Sequence, residues 1–243
     1  MTQPDEPDAR FQVPTPARIV GDDVERFIID HLAHDQSWRM FRIIGEFVEG
    51  FDRLAARHPS VTIYGSARVD PGHPLFEQAE TLGRRLAEEG FAVVTGGGPG
   101  TMAAANKGAL DAGGLSIGLS IDLPYEKPNP YTNLSINFHY FFVRKVMLVW
   151  RATAFVLMPG GLGTLDELFE TITLISTEKI ARFPVILFGR DYWSGLLAWL
   201  RDQPLERGFI TADDLDELVL TDDVEQVVAQ VRAWHAQRER GMS

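Results

Sequence analysis

At 243 residues, 45% of them hydrophobic, the chain is long enough for one large domain or two small ones and can fill a substantial core. A net charge of −11 argues against nucleic-acid backbones or anionic membranes as partners, because both need a basic face. There is no cysteine, which excludes disulfides, thiolate metal sites and cysteine nucleophiles; with no secretory h-region and no apolar run of bilayer length, a cytoplasmic protein is expected.

Residues 1–20, rich in Pro, Asp and Gln, are expected to form a disordered tail ahead of a single domain over 21–243. Between 22 and 57, Trp38, Phe41, Ile44, Val48, Phe51 and Ala55 recur every three or four positions, an apolar helical stripe. This segment has no strand of its own, so it must pack on the domain body or on another subunit. Strands and helices then alternate. A strand over 61–64 ends in Gly65-Ser66 and precedes a helix over 75–89, and a strand over 91–95 precedes a helix over 102–112. A third strand at 115–120 runs into a proline-bearing loop, followed by a strand at 134–138 and a helix at 140–152. The remaining pairs are 154–158 with 165–177, 185–188 with 191–200, and 218–220 with 224–238. Buried, β-branched strands separated by amphipathic helices predict an α/β fold: a doubly wound, mostly parallel, Rossmann-like sheet with an extra N-terminal helical segment. Ligands in such folds sit beyond the carboxyl ends of the strands.

Two glycine-rich turns fall at those ends. Pro159-Gly160-Gly161-Leu162-Gly163-Thr164 follows the fifth strand, and Gly96-Gly97-Gly98-Pro99-Gly100-Thr101 follows the second. Each leads into a helix, whose free N–H groups and positive dipole end favour an anion, most often a phosphate. The first turn lacks the Gly-Lys-Ser/Thr of a nucleotide-triphosphate loop and the GxGxxG spacing of a dinucleotide fold. In the second, Thr164-Leu165-Asp166-Glu167 reads equally as a capping box, with Glu167 tying back the helix start. A carboxylate at a helix N-terminus is kept ionised by the dipole, which suits it to stabilising a cation or orienting a water. Arg144 and Lys145 lie in an otherwise apolar segment of a chain with only four lysines, and are expected to reach the phosphate and sugar of a ligand; the plainer alternative is an ordinary ion pair. His31 and His34, beside Asp30 and Asp35, have helical spacing but read better as a solvated face than as a metal site. No metal is expected.

These residues resemble the Lonely guy (LOG) family, long labelled "possible lysine decarboxylase". Its PGGxGTxxE motif is matched at every fixed position by Pro159 to Glu167, its GGGxxGxM-like loop resembles Gly96 to Met102, and its Arg-Lys pair is matched by Arg144-Lys145. The long N-terminal helical segment looks like the extended bacterial subgroup. The resemblance implies a phosphoribohydrolase that cleaves the N-glycosidic bond of a nucleoside 5′-monophosphate, either a cytokinin riboside monophosphate or AMP, without a cofactor. It assigns Arg144 and Glu167 as the catalytic pair. Substrate contacts are expected from Ser66, Gly97, Gly98, Gly100, Thr101, Glu126, Lys145, Gly160, Gly161, Gly163, Thr164, Asp166 and Thr173. A broader nucleotide nucleosidase and a non-hydrolytic nucleotide sensor or carrier remain as alternatives. Apolar residues on the helix after the second turn (Leu165, Leu168, Phe169, Ile172, Ile175), with Phe141, Phe142 and Trp150, predict a homodimer or larger homo-oligomer.

Overall fold

A computed structural model describes residues 36–55, 58–122 and 127–241. The chain divides into two units, Met1–Ile44 and Gly45–Ser243. Of the first, residues 36–44 are described: they open helix α1 (Gln36–Arg53), with the rings of Trp38 and Phe41 meeting edge-on at 6.2 Å. The expected tail over 1–20 and the helical stretch before 36 lie outside the described residues, as do His31 and His34.

The second unit is built on seven strands: β1 (Ser60–Tyr64), β2 (Ala92–Thr95), β3 (Ser116–Ile121), β4 (Leu134–Phe138), β5 (Ala152–Leu157), β6 (Val185–Phe188) and β7 (Leu218–Thr221). Their order across the sheet is β4-β3-β2-β1-β5-β6-β7, and every neighbouring pair is parallel. The chain winds outward from β1 through β4, then returns to add β5 on the other side of β1. That reversal makes the carboxyl ends of β1 and β5 the topological switch point, where a crevice opens. β1, β2, β3, β5 and β6 are buried along their whole length, as both-face coverage requires.

Alternation along the strands assigns the two faces. Val61, Ile63, Val93, Ala154, Val156 and Ile186 share a core with α2 (Pro74–Glu88), α3 (Thr101–Asp111) and α8 (Val224–Gly241). Each large apolar side chain buried there contributes about 1.5–3 kcal/mol. The intervening residues, Thr62, Tyr64 and Phe155, face the other way, toward α4 (Phe141–Val149) and α5 (Leu162–Ser176): the Thr62 hydroxyl donates to the Leu148 carbonyl at 2.8 Å. The second half of α1 packs on this body. Glu46 accepts the backbone N–H groups of His139 and Tyr140 at the start of α4, and Phe51 meets Trp150 edge-on at 4.7 Å.

Several features depart from the expected elements. β5 starts at Ala152, two residues early, because Arg151 turns the chain at φ 75° and offers its carbonyl to the Ser60 hydroxyl. Helix α6 (Arg190–Leu200) runs on into a π-helical turn, Arg201–Leu205. Pro204 has no N–H to give there, and longer bonds close the turn, from Glu206 to Arg201 and from Phe209 to Pro204. A short helix, α7 (Asp213–Asp216), precedes β7. Among the described residues no helix is long and apolar enough to cross a membrane.

Candidate active site

Three strand ends converge at the switch point. After β1, the Ser66 N–H donates to the Pro159 carbonyl at 3.2 Å, and the Ser66 carbonyl accepts both the backbone N–H and the hydroxyl of Thr101. Ser66 therefore ties the two glycine turns together. This approach is what demands glycine at two positions. Gly100 has φ 70°, and a Cβ there would lie 2.2 Å from the Ser66 carbonyl oxygen; a Cβ on Gly160 would lie 2.0 Å from the Thr164 hydroxyl. The second turn is also gripped from α6, where the Tyr192 hydroxyl donates to the Gly160 carbonyl and the Trp193 indole N–H donates to Leu157 and Phe188 carbonyls.

A buried polar network fixes the first turn, and sequence reasoning missed it. The Thr95 hydroxyl donates to Asn106 Oδ1 at 2.6 Å and accepts the Gly97 N–H at 3.0 Å. Asn129 donates from its backbone to the Gly97 carbonyl and from its side chain to the Gly98 carbonyl, while Asn106 Nδ2 reaches Ser116 and Ile117. The available signal was Asn106 itself, a polar residue following Ala103-Ala104-Ala105, where an exposed position has no need of it.

Helix α5 begins at Leu162, with Gly161 as its N-cap, and the capping box does not form. Thr164 and Glu167 are inside the helix, beyond the N-cap and third positions that a box requires. No side chain caps this helix, and none caps α3, whose N-cap is Gly100. A Cβ added to Gly161 or Gly163 would meet no atom within 4 Å, and neither residue has a positive φ. Neither packing nor backbone conformation asks for glycine there, and Gly163 inside a helix costs about 1 kcal/mol relative to alanine. What the two glycines supply is open approach to the N–H groups at the start of α5.

Behind these turns sits the Arg144–Glu167 pair, with Arg144 Nη2 3.8 Å from Glu167 Oε1; Glu167 is buried and the Arg144 side chain is 15% exposed. Arg144 stacks over the Phe141 ring at 5.3 Å, and its Nη1 lies 3.5 Å from where a Cβ on Gly96 would be, so it spans from α4 to the first glycine turn. The expectation of a permanently ionised Glu167 does not hold. Burial pushes its carboxyl up to about 7, against the opposing pull of Lys145 and Arg144. The helix dipole fades within the first turn, and Glu167 lies one turn deeper, where desolvation wins. A carboxyl poised near neutrality can take or give a proton.

Lys145 pairs with Asp166 at 2.9 Å and Glu170 at 3.2 Å. Burial would lower its pKa, but these bonds hold it above the ordinary lysine value. Ser66, Gly97, Gly98, Gly100, Thr101, Gly160, Gly161, Gly163 and Thr164 all belong to the converging turns, and Arg144, Lys145, Asp166 and Glu167 lie directly behind. Thr173 does not join them: it is exposed on a different face of α5 from Glu167, its hydroxyl bonded back to the Phe169 carbonyl. Glu126 lies outside the described residues. Among the described residues no three His, Asp or Glu side chains are grouped to hold a metal. A cavity of about 1160 Å³ is lined by Trp150, Arg151, Lys179 and Arg238 and reaches Lys145 and Glu170, but neither Arg144 nor Glu167 lines it.

The fold and the site together define a Rossmann-like α/β protein with two helix N-termini that no side chain caps, beside an arginine–glutamate pair whose carboxylate is buried. The chain belongs to the Lonely guy (LOG) family: the family described as "Possible lysine decarboxylase" matches residues 102–231. A protein of Mycobacterium tuberculosis named cytokinin riboside 5′-monophosphate phosphoribohydrolase is 31% identical over 179 residues, covering 70% of this chain and 91% of that one. One of the same name from Rhodococcoides fascians is 29% identical, covering 72% and 89%. Among solved structures, the fold is similar to the molybdenum cofactor binding protein of Rippkaea orientalis, with TM-score 0.57 and 22% identity over 73% of this chain and 97% of that one. The Moco carrier protein of Chlamydomonas reinhardtii is also similar, with TM-score 0.54 and 25% identity over 74% and 99%.

Proposed function

We propose that this chain hydrolyses the N-glycosidic bond of a nucleoside 5′-monophosphate, a cytokinin riboside monophosphate or AMP, to free base and ribose 5-phosphate. Its class, a hydrolase acting on N-glycosyl bonds, accords with its family and with the names of its relatives. The observation that carries the reading is the Arg144–Glu167 pair, its carboxylate buried, behind two glycine-opened helix starts.

The 5′-phosphate rests on the N–H groups that open α3 and α5, and its binding energy positions the sugar. Breaking the ribosyl–base bond builds positive charge on the sugar ring. Ionised Glu167 stabilises that charge and takes a proton from the attacking water, whose oxygen bonds to the anomeric carbon as the C–N electron pair leaves with the base. The base departs with a proton, so that water is divided between the two products. Arg144, fixed by Phe141 and by Glu167, steadies the nucleotide and the departing base. The resemblance adds Glu126, Lys145 and Asp166 as substrate contacts, whereas Thr173, exposed and bonded back to its own helix, stands apart from the site in this chain. In this chain Lys145 and Asp166 reach that role by exchanging their mutual ion pair for ligand atoms.

We also propose that the protein self-associates. Leu168 and Ile175 are consumed by its own core, but Phe141, Phe142 and Val146 on α4, Trp150 just after it, and Phe169 on α5 stay exposed, a group of large apolar side chains suited to a subunit contact. Light scattering at micromolar concentration should give at least a dimer; a monomer refutes this.

A second reading, a non-hydrolytic carrier on the same fold, is favoured by the likeness to the two molybdenum cofactor proteins. Incubation with AMP and with isopentenyladenosine 5′-monophosphate, followed by chromatography for released base, separates the readings. Release from the cytokinin alone supports the narrower activity, release from both the broader one, and binding without release the carrier.

A further inference from the structure

Tyr64 closes β1 immediately before Gly65-Ser66, with its ring stacked on Phe155 at 6.3 Å and 10° between planes. It is 5% exposed, and its hydroxyl has no hydrogen-bond partner among the described residues. The same is true of Glu167 Oε2, Arg144 Nε and the Thr171 hydroxyl. Thr171 is one turn beyond Glu167 on the buried face of α5. The Tyr64 hydroxyl feels the charges of Glu167 and Glu170 from α5 and of Arg144 from α4. A donor and an acceptor without partners thus share one buried cluster.

Packing does not account for this hydroxyl. Phenylalanine would fill the same space and stack on Phe155 equally well, without burying an unsatisfied donor. We propose that Tyr64 is a positioning residue for Glu167: its hydroxyl donates to the carboxylate through a bridging water and keeps that carboxylate charged and aimed during the hydrolysis proposed above, on which its catalytic role rests. Burial first, and then the carboxylates of Glu167 and Glu170, push the Tyr64 hydroxyl well above its ordinary value, so it keeps its proton and remains a donor wherever Glu167 is ionised. The groups facing Glu167 are Arg144 and Lys145 from α4, Asp166 and Glu170 from its own helix, and Tyr64 from β1. Tyr64 is the neutral donor among them. It can favour the ionised carboxylate without drawing a bound phosphate away from the helix starts.

The test is Tyr64→Phe in the full chain, with Glu167 titrated by carbon NMR on glutamate-labelled protein and its signal assigned from Glu167→Gln. The Glu167 midpoint should rise by about one pH unit in Tyr64→Phe, the size of one hydrogen bond to a charged group. The melting temperature should stay level or rise. Base release near neutral pH should fall roughly three- to tenfold through kcat with KM little changed, and should recover at higher pH. An unchanged or lowered midpoint overturns the proposal, and this readout needs no turnover. A wild-type protein that releases no base leaves the titration result standing and overturns the hydrolytic reading instead.

Discussion

Replacing Glu167 by glutamine should make the protein more stable and less active, and the gain in stability should depend on pH. Raising the Glu167 pKa from 4.5 to about 7 makes its ionisation in the fold cost about 3 kcal/mol more than in the unfolded chain. For a carboxyl with a raised folded pKa, the native state holds the extra proton between these two values. Its contribution to stability is complete below 4.5 and is lost as pH rises through about 7. Glutamine has the shape of the protonated acid and never carries the charge. At about pH 4 the two proteins should therefore unfold at nearly the same urea concentration, and at about pH 8.5 Glu167→Gln should be more stable by about 3 kcal/mol. Base release should meanwhile fall by about 10²- to 10⁴-fold above about pH 7, where wild-type Glu167 is ionised, and the difference should shrink at lower pH, as for loss of a general base. Equal stability at both pH values would overturn this expectation, since it would mean that Arg144 and Lys145 fully compensate the buried charge. Lower stability of the variant at high pH would mean that the charge is a net structural asset.

Other substitutions separate fold from function. Gly163→Ala adds a methyl where nothing lies within 4 Å, so stability should hold or rise by up to about 1 kcal/mol, while the KM for a nucleotide increases at least tenfold; unfolding curves and steady-state kinetics check the two halves. Asn106→Ala removes the hub of the network beneath the first turn and should lower stability by about 1–3 kcal/mol, leaving buried partners unsatisfied, as measured by urea unfolding. Adenosine should react far more slowly than AMP, because without the phosphate the helix starts contribute nothing to positioning the sugar; equal rates would rule out the phosphate cradle. The kcat/KM profile of the wild type should rise with pH through about 7, as Glu167 becomes able to accept a proton.

The scaffold was legible because its signals are local. Runs such as Ala154 to Met158, bounded by Pro159 and glycines, announce a buried strand and a turn, and their alternation with amphipathic helices implies the parallel sheet and its switch point. The two glycine turns stood out for the same reason. What was not legible depends on contacts made across the fold. Thr164-Leu165-Asp166-Glu167 imitates a helix start, but Gly161 begins α5 one turn earlier, which moves Glu167 inward and reverses the expected sign of its pKa change. Thr95, Asn106 and Asn129 look like ordinary polar residues until three separate elements bring them together. Arg144 and Lys145 were marked as a pair, yet the structure separates their partners: Arg144 turns to Glu167, and Lys145 to Asp166 and Glu170.

A crystal of Glu167→Gln with AMP bound is the sharpest experiment on the proposed site, since that variant should hold the nucleotide without cleaving it. The phosphate should lie on the N–H groups that begin α3 and α5, with the anomeric carbon of the ribose facing position 167 and the Arg144 guanidinium beside the nucleotide. A phosphate bound instead among Arg151, Lys179 and Arg238 in the cavity they line, or a ribose turned away from position 167, would disprove it.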